Sequence, residues 1–346
     1  MVYRILILGA SYGSLLGTKL LMAGHDVTLV CREATARLIN DEGTQVRIKL
    51  RGEDEHRAIF SKDLPGKLNA LTPEQVDPAD YDLVGLAMQE PQYKHATLRQ
   101  LMDKIAKAKV PCLSIMNMPP IPYLKRIEGL DVAGATAASS DATIWNEFDP
   151  ELVTLCSPDP QAFRPPEEKP NVLHVGLPTN FKAAGFSDAK HNAMLNALAA
   201  DIDAVRLDGQ EVPVKLRVHD SLFVPLAKWS MLLTGNYRCV RAKDPVAIRD
   251  AVHADLEQSR SVYAFVDELA QKLGADPADQ VPFEKYAKAA EGLLKPSSVA
   301  RAIDAGAADV ERVDKLVQLV ARSLGMDNPS VNETVERVDA CLAANR

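Results

Sequence analysis

Arg4-Ile-Leu-Ile-Leu-Gly-Ala-Ser-Tyr-Gly-Ser-Leu-Leu-Gly17 joins a mainly apolar run to a glycine-rich turn and the start of an amphipathic stretch. A run such as Arg4–Leu8 fits a strand covered by helices on both faces, as in a parallel sheet. From Gly13 to Ala23 the apolar residues Leu15, Leu16, Leu20, Leu21 and Met22 recur at helical spacing, and Gly24 is placed to stop that helix. Val27-Thr-Leu-Val30 reads as a second strand. The product is a β-α-β unit within about thirty residues, with a right-handed crossover.

The alternation continues outward. Asp82–Leu86, Pro111–Met116 and Asn171–Leu177 read as strands, with a helical stretch from Gln92 to Ala108. Between Pro158 and Pro170 proline and charge dominate, which predicts a surface loop. Beyond His219 the pattern is helical, with helices expected at about 220–237, 245–273, 297–305, 309–324 and 330–344. The fold class expected is α/β, an N-terminal Rossmann-type domain with a mostly parallel sheet (1–217) followed by an all-helical domain (218–346).

In the dinucleotide fingerprint one glycine makes the tight turn, a second admits the pyrophosphate, and a third lets the helix pack on the strand. Here the loop is one residue shorter, and Ser11 occupies the second glycine position. Gly9, Ser11, Tyr12 and Gly13 are the expected cofactor-binding residues, because free N–H groups and the positive end of the helix face a phosphate there. The second strand ends in Val30-Cys31-Arg32, where an acidic residue would select NAD. Arg32 favours the 2′-phosphate of NADP(H), although Glu33 follows it and Arg32 alone could be a solvated loop residue. Gly9-Ala-Ser-Tyr-Gly13 also spells a hydrolase nucleophile elbow, but such an elbow follows several earlier strands and this one follows the first.

Composition narrows the function classes. The 346 residues carry 40 Lys plus Arg against 47 Asp plus Glu, a net charge of −7, which argues against a nucleic-acid partner. No apolar stretch approaches the roughly 20 residues that span a bilayer, so no membrane partner is expected. A core-like strand from about Tyr3 leaves no room for a secretory signal, which predicts a cytoplasmic protein. Five widely spaced cysteines and seven scattered histidines give no metal-ligand spacing, so no metal is expected. The oligomeric state is open, with a homodimer as one option.

With these motifs in place the sequence resembles the ketopantoate reductase family (2-dehydropantoate 2-reductase, the ApbA/PanE type). Gly-Ser-Leu-Leu-Gly17 and Ala23-Gly-His-Asp-Val-Thr-Leu-Val30 are similar to that family's N-terminus. The resemblance implies an asparagine beside the nicotinamide, matched by Asn117 in Met116-Asn117-Met118 without the usual following glycine. It implies a catalytic lysine, matched by Lys228 in Pro225-Leu-Ala-Lys228-Trp-Ser-Met-Leu-Leu-Thr-Gly-Asn236. Asn236 matches the second of two family asparagines, while Leu232 replaces the first. Ser297 and Ser298 stand for a family serine pair, and Asp309 stands where the family has a glutamate. A lysine that the family often carries after the strand ending at Leu86 is absent from Ala87-Met88-Gln89.

The implied function is NADPH-dependent reduction of a small 2-oxo acid, with ketopantoate as the leading substrate. Lys228 and Asp309 are the implied catalytic residues; Asn236, Ser297 and Ser298 are the implied substrate binders, in a cleft between the domains. Read without the family, Lys228 is an ordinary lysine of an amphipathic helix, Asn236 a residue near a helix end, and Asp309, Ser297 and Ser298 natural helix starters. Two rival readings are an opine- or hydroxyacid-type dehydrogenase and a non-enzymatic NADP-binding sensor.

Overall fold

Ile5, Leu6, Ile7 and Leu8 are completely buried in the first strand, as an apolar run sandwiched by helices must be. The computed structural model describes residues 1–346. In chain order its strands are β1 Arg4–Leu8, β2 Asp26–Val30, β3 Gln45–Lys49, β4 His56–Phe60, β5 Leu68–Leu71, β6 Leu83–Leu86 and β7 Cys112–Ile115. After these come β8 Val153–Ser157, β9 Gln161–Phe163, β10 Val172–Leu177, β11 Phe181–Ala184, the short hairpin β12 Arg206–Leu207 and β13 Gln210–Glu211, and β14 Leu216–His219.

Eight strands form one sheet in the order β14-β11-β8-β7-β6-β1-β2-β5. Every neighbouring pair runs parallel except β8 and β11, which are antiparallel. Helix Gly13–Met22 packs on β1 and β2 through Leu15, Leu16, Leu20 and Leu21, each buried. Each such side chain removed from water contributes about 1.5–3 kcal/mol. One expectation holds and one is corrected in the second sheet, ordered β4-β3-β10-β9. Asn171–Leu177 supplies the expected strand, β10, which belongs to this smaller sheet. The segment between Pro158 and Pro170 is not wholly loop, because Gln161–Phe163 pairs antiparallel with β10. A three-residue edge strand flanked by prolines leaves no period for a sequence reading to detect.

The chain forms two compact units. The first comprises Met1–Met88, Gln92–Tyr123 and Ile144–Asp220; the second comprises Gln89–Pro91, Leu124–Thr143 and Ser221–Arg346. A single cut of the sequence cannot express the two short segments that leave the first part of the chain to join the second unit.

The second unit is helical, with boundaries that differ from the periodicity. The expected helix over 245–273 is two, Ile248–His253 and Leu256–Lys272, because Asp255 turns extended and accepts a hydrogen bond from the Gln258 N–H to cap the second. Helix Phe283–Ala290 was not anticipated, being only eight residues behind a proline. The helix expected from Asp309 begins at Val313, with Arg312 in the N-cap position, so Asp309 is not its cap. It stops near Gly325, whose φ of +68° suits glycine. The helix expected over 220–237 is an irregular run of 3₁₀ turns at Pro225–Ala227 and Tyr237–Cys239 around an α turn, Lys228–Met231, and a π segment, Leu232–Asn236. No helix is long and apolar enough to cross a membrane.

Candidate functional site

Parallel register brings the carboxyl ends of four strands into one row. Leu8 pairs with Val30 on one side and with Leu86 on the other, and Leu86 pairs with Ser114. Gly9, Cys31 and Ala87 therefore leave the sheet along one edge, with Asn117 in a bend just past β7. Strands β2 and β5 lie to one side of β1 and β6, β7 and β8 to the other. The strand order reverses at β1, and the crevice outside such a switch point is where open α/β sheets bind ligands.

The glycine loop is built for backbone approach. Gly9 has a φ of +106° and donates its N–H to the Val30 carbonyl at 3.1 Å. A Cβ at Gly9 would sit 2.7 Å from the Ala87 carbonyl oxygen and 2.7 Å from Met88 Cγ, so the turn excludes a side chain. A Cβ at Gly13 would meet Ile7 Cγ2 at 2.5 Å, which makes Gly13 the residue that lets the helix settle on β1. Tyr12 precedes that helix with helical backbone angles and offers no side-chain cap. The Ser14 and Leu15 N–H groups donate to the Ser11 and Tyr12 carbonyls at 3.2 and 3.0 Å, so what the turn offers an anion is the positive end of the helix and not these two amides.

Tyr12 and Ser11 do not fill the turn in the same way. The Tyr12 ring stands edge-on to Phe181 at 5.9 Å and its hydroxyl donates to the Pro160 carbonyl at 2.7 Å. Burial, with help from Cys156 and Asp159, raises the phenol's pKa well above its ordinary value. Tyr12 is fixed sideways, and Ser11 is the exposed residue of the turn. At the end of β2, Arg32 is exposed and makes no ion pair, while Glu33 is engaged by Arg37 one helical turn on. The acidic residue that follows Arg32 is thus directed to Arg37, in an exposed pair. Arg164, absent from the sequence-derived site, is half-buried and within electrostatic reach of the Cys31 thiol.

In the second unit Lys228 starts the α turn Lys228–Met231 and is half-buried, and Asn236 ends the π segment. The Tyr286 hydroxyl donates to the Met231 carbonyl at 3.1 Å, where the regular helix ladder is interrupted. Ser297 is 2 % exposed and serves the fold twice: its hydroxyl accepts from the Ala300 N–H at 3.2 Å and donates to the Asn236 carbonyl at 2.6 Å. The structure thereby joins Ser297 to Asn236, while Ser298 is exposed at the start of helix Ser298–Asp304. Asp309 is exposed and lies 3.5 Å from Arg346.

The acids that the second unit buries are others. Asp314 is fully buried and paired with Arg312 at 2.9 Å, while Glu90 is 2 % and Glu311 7 % exposed. The Glu90 N–H donates to Glu311 Oε1 at 3.3 Å, and Ser140 donates to the Glu90 carboxylate from its N–H at 3.1 Å and its hydroxyl at 3.0 Å. Burial pushes the Glu90 carboxyl up to about 7, with the Glu311 charge adding to the rise and the Ser140 hydrogen bonds opposing it. A carboxyl poised near neutrality is a group that can exchange a proton at physiological pH. The sequence carried one cue, an acid four residues past the end of β6.

Comparison with known proteins gives a family match over one part of the chain and fold matches over nearly all of it. The family model described as ketopantoate reductase PanE/ApbA matches residues 5–117. No curated protein matches by sequence. Among solved structures, one assigned as a ketopantoate reductase from Ralstonia solanacearum MolK2 is 17 % identical, with a TM-score of 0.70 over 100 % of this chain and 99 % of its own. The ternary structure of D-mandelate dehydrogenase with NADH and anilino(oxo)acetate is 17 % identical, with a TM-score of 0.65 over 99 % of both chains. A 2-dehydropantoate 2-reductase from Methylococcus capsulatus is 14 % identical, with a TM-score of 0.67 over 99 % of this chain and 97 % of its own. The fold is shared throughout.

Proposed function

We propose that this chain, whose residues 5–117 match the ketopantoate reductase PanE/ApbA family model, is an NADPH-dependent reductase of small 2-oxo acids, with ketopantoate, reduced to pantoate, as the leading substrate. The observation that carries the reading is the side-chain-free turn at Gly9, set at the switch point and followed by an uncapped helix. That turn fits a pyrophosphate, and Arg32 beside it, free of any ion pair, fits a 2′-phosphate better than a hydroxyl. Asn117, at the bend after β7, is the residue we assign to the nicotinamide end.

When bound, the cofactor supplies a hydride to the carbonyl carbon of the substrate. Negative charge then gathers on the carbonyl oxygen, which needs a donor able to deliver a proton. Lys228 takes that role: its ammonium holds a proton at the oxygen and releases it as the alkoxide forms. Asn236, Ser298 and Asp309 hold the substrate, Asp309 by accepting from a hydroxyl. Ser297 acts through Asn236, whose carbonyl it fixes.

The test is Lys228→Ala. Normal NADPH binding with turnover lowered by about two orders of magnitude or more fits a lost proton donor. Unchanged turnover removes Lys228 from the mechanism. A hydroxyacid dehydrogenase with a different 2-oxo acid is the second reading, favoured by the similarity to a D-mandelate dehydrogenase crystallised with NADH. Turnover of ketopantoate no faster than that of other 2-oxo acids supports it.

A further inference from the structure

Arg164 is half-buried, yet neither a carboxylate nor a carbonyl engages its guanidinium. An unpaired cation partly withdrawn from water is costly, and in a folded chain it commonly marks the place of an anion. Three acids of the adjoining segments are committed to other cations. Glu168 pairs with Arg47 at 2.6 Å, Asp159 lies 3.4 Å from Lys182, and Glu33 is held by Arg37.

The position of Arg164 follows from how its segment is fastened. At one end the Pro160 carbonyl accepts the Tyr12 hydroxyl, so the segment begins on the glycine loop. Next, β9 lies against β10. At the other end Lys169 reaches Glu42 at 2.6 Å and Asn171 Nδ2 donates to the Gly43 carbonyl at 2.8 Å. Glu42 and Gly43 finish the helix Glu33–Glu42 that leaves β2. The strap therefore runs from the glycine turn to the far end of that helix, and Arg164 falls between these anchors, within electrostatic reach of Cys31 where β2 ends. In a sheet of this type the end of β2 carries the group that meets the ribose 2′ position.

We infer that Arg164 is the second arm of a 2′-phosphate clamp, approaching from the strap while Arg32 approaches from the turn after β2. The inference rests on the NADP reading above. A phosphomonoester at neutral pH carries a charge of about −1.5 to −2 and three acceptor oxygens, which two planar guanidinium forks can share. The 2′-hydroxyl of NADH presents no charge to either arm, so Arg164 acts on the choice between the two nucleotides.

The experiment is titration of the full chain with NADPH, NADH and 2′-phospho-ADP-ribose, in the wild type, Arg164→Ala and Arg164→Lys, each checked for an unchanged melting temperature. Arg164→Ala is expected to weaken NADPH and 2′-phospho-ADP-ribose by about 10-fold or more and to leave NADH within about 2-fold, with Arg164→Lys recovering part of the loss. Equal weakening of NADPH and NADH, or no weakening of either, overturns the clamp while a wild-type preference for NADPH keeps the cofactor reading intact. A wild type that binds NADH as well as NADPH overturns the cofactor reading and the clamp with it.

Discussion

Tyr286 donates its hydroxyl to the carbonyl of Met231 at 3.1 Å, in the one helical turn where a methyl group on Gly235 would overlap that same hydroxyl. A π segment at Leu232–Asn236 is what results. Insertions of this kind recur at functional sites because they re-aim the residues that follow. Displacing Asn236 by one residue's worth of rotation turns it by roughly 100° about the axis relative to a regular helix carrying Lys228.

Gly235→Ala forces the wedge out or strains it, at about 1–3 kcal/mol of stability, the usual cost of overpacking a filled core. The substitution should cost much less when combined with Tyr286→Phe, which deletes the obstructing oxygen. A double-mutant cycle by denaturation measures the coupling. Additive losses would show that Tyr286 does not hold the π turn.

Glu90 makes stability depend on pH in a defined direction. Its folded-state carboxyl is raised to about 7 by burial and by Glu311, so the folded chain binds this proton more tightly than the unfolded chain does. The associated stability is full below about pH 4.3, the unfolded carboxyl's range, and is lost as pH rises through about 7. Glu90→Gln keeps an acceptor for Ser140 without the charge. It should be more stable than the wild type at pH 8, by up to about 3 kcal/mol, with the difference vanishing near pH 4. Denaturation curves at both pH values decide the matter, and parallel pH profiles would contradict the assignment.

Gly9 and Gly24 separate backbone strain from steric exclusion. Both have positive φ, +106° and +87°, but a Cβ at Gly24 meets nothing within 4 Å. Alanine at either position carries left-handed strain of about 1–3 kcal/mol. Only Gly9→Ala should also weaken nucleotide binding, since it pushes on Ala87 and Met88 at the carboxyl edge. NADPH titration of the two variants checks this, with equal affinities counting against the turn as the pyrophosphate site.

The parts of this molecule that were legible in the sequence are those whose causes are local. Ile5–Leu8, the left-handed Gly9 and the packing glycine Gly13 act on near neighbours, so strand, turn and helix could be read in order. The π turn was not legible because its cause, Tyr286, lies about fifty residues downstream on a helix too short to show a period. Strand β9 and the strap that holds Arg164 depend on partners at Tyr12, Glu42 and Gly43 that no spacing reveals. Asp309 looked like the start of a helix because the apolar pattern runs through Val310, whereas the helix begins at Val313. The buried acids Glu90, Glu311 and Asp314 owe their burial to packing.

The central claim is tested most directly by following NADPH oxidation by the purified chain with ketopantoate and a panel of other 2-oxo acids, with product identification. The account predicts that at least one 2-oxo acid is reduced to its 2-hydroxy acid with one NADPH consumed per product. Tight NADPH binding with no oxidation by any of the acids would contradict it.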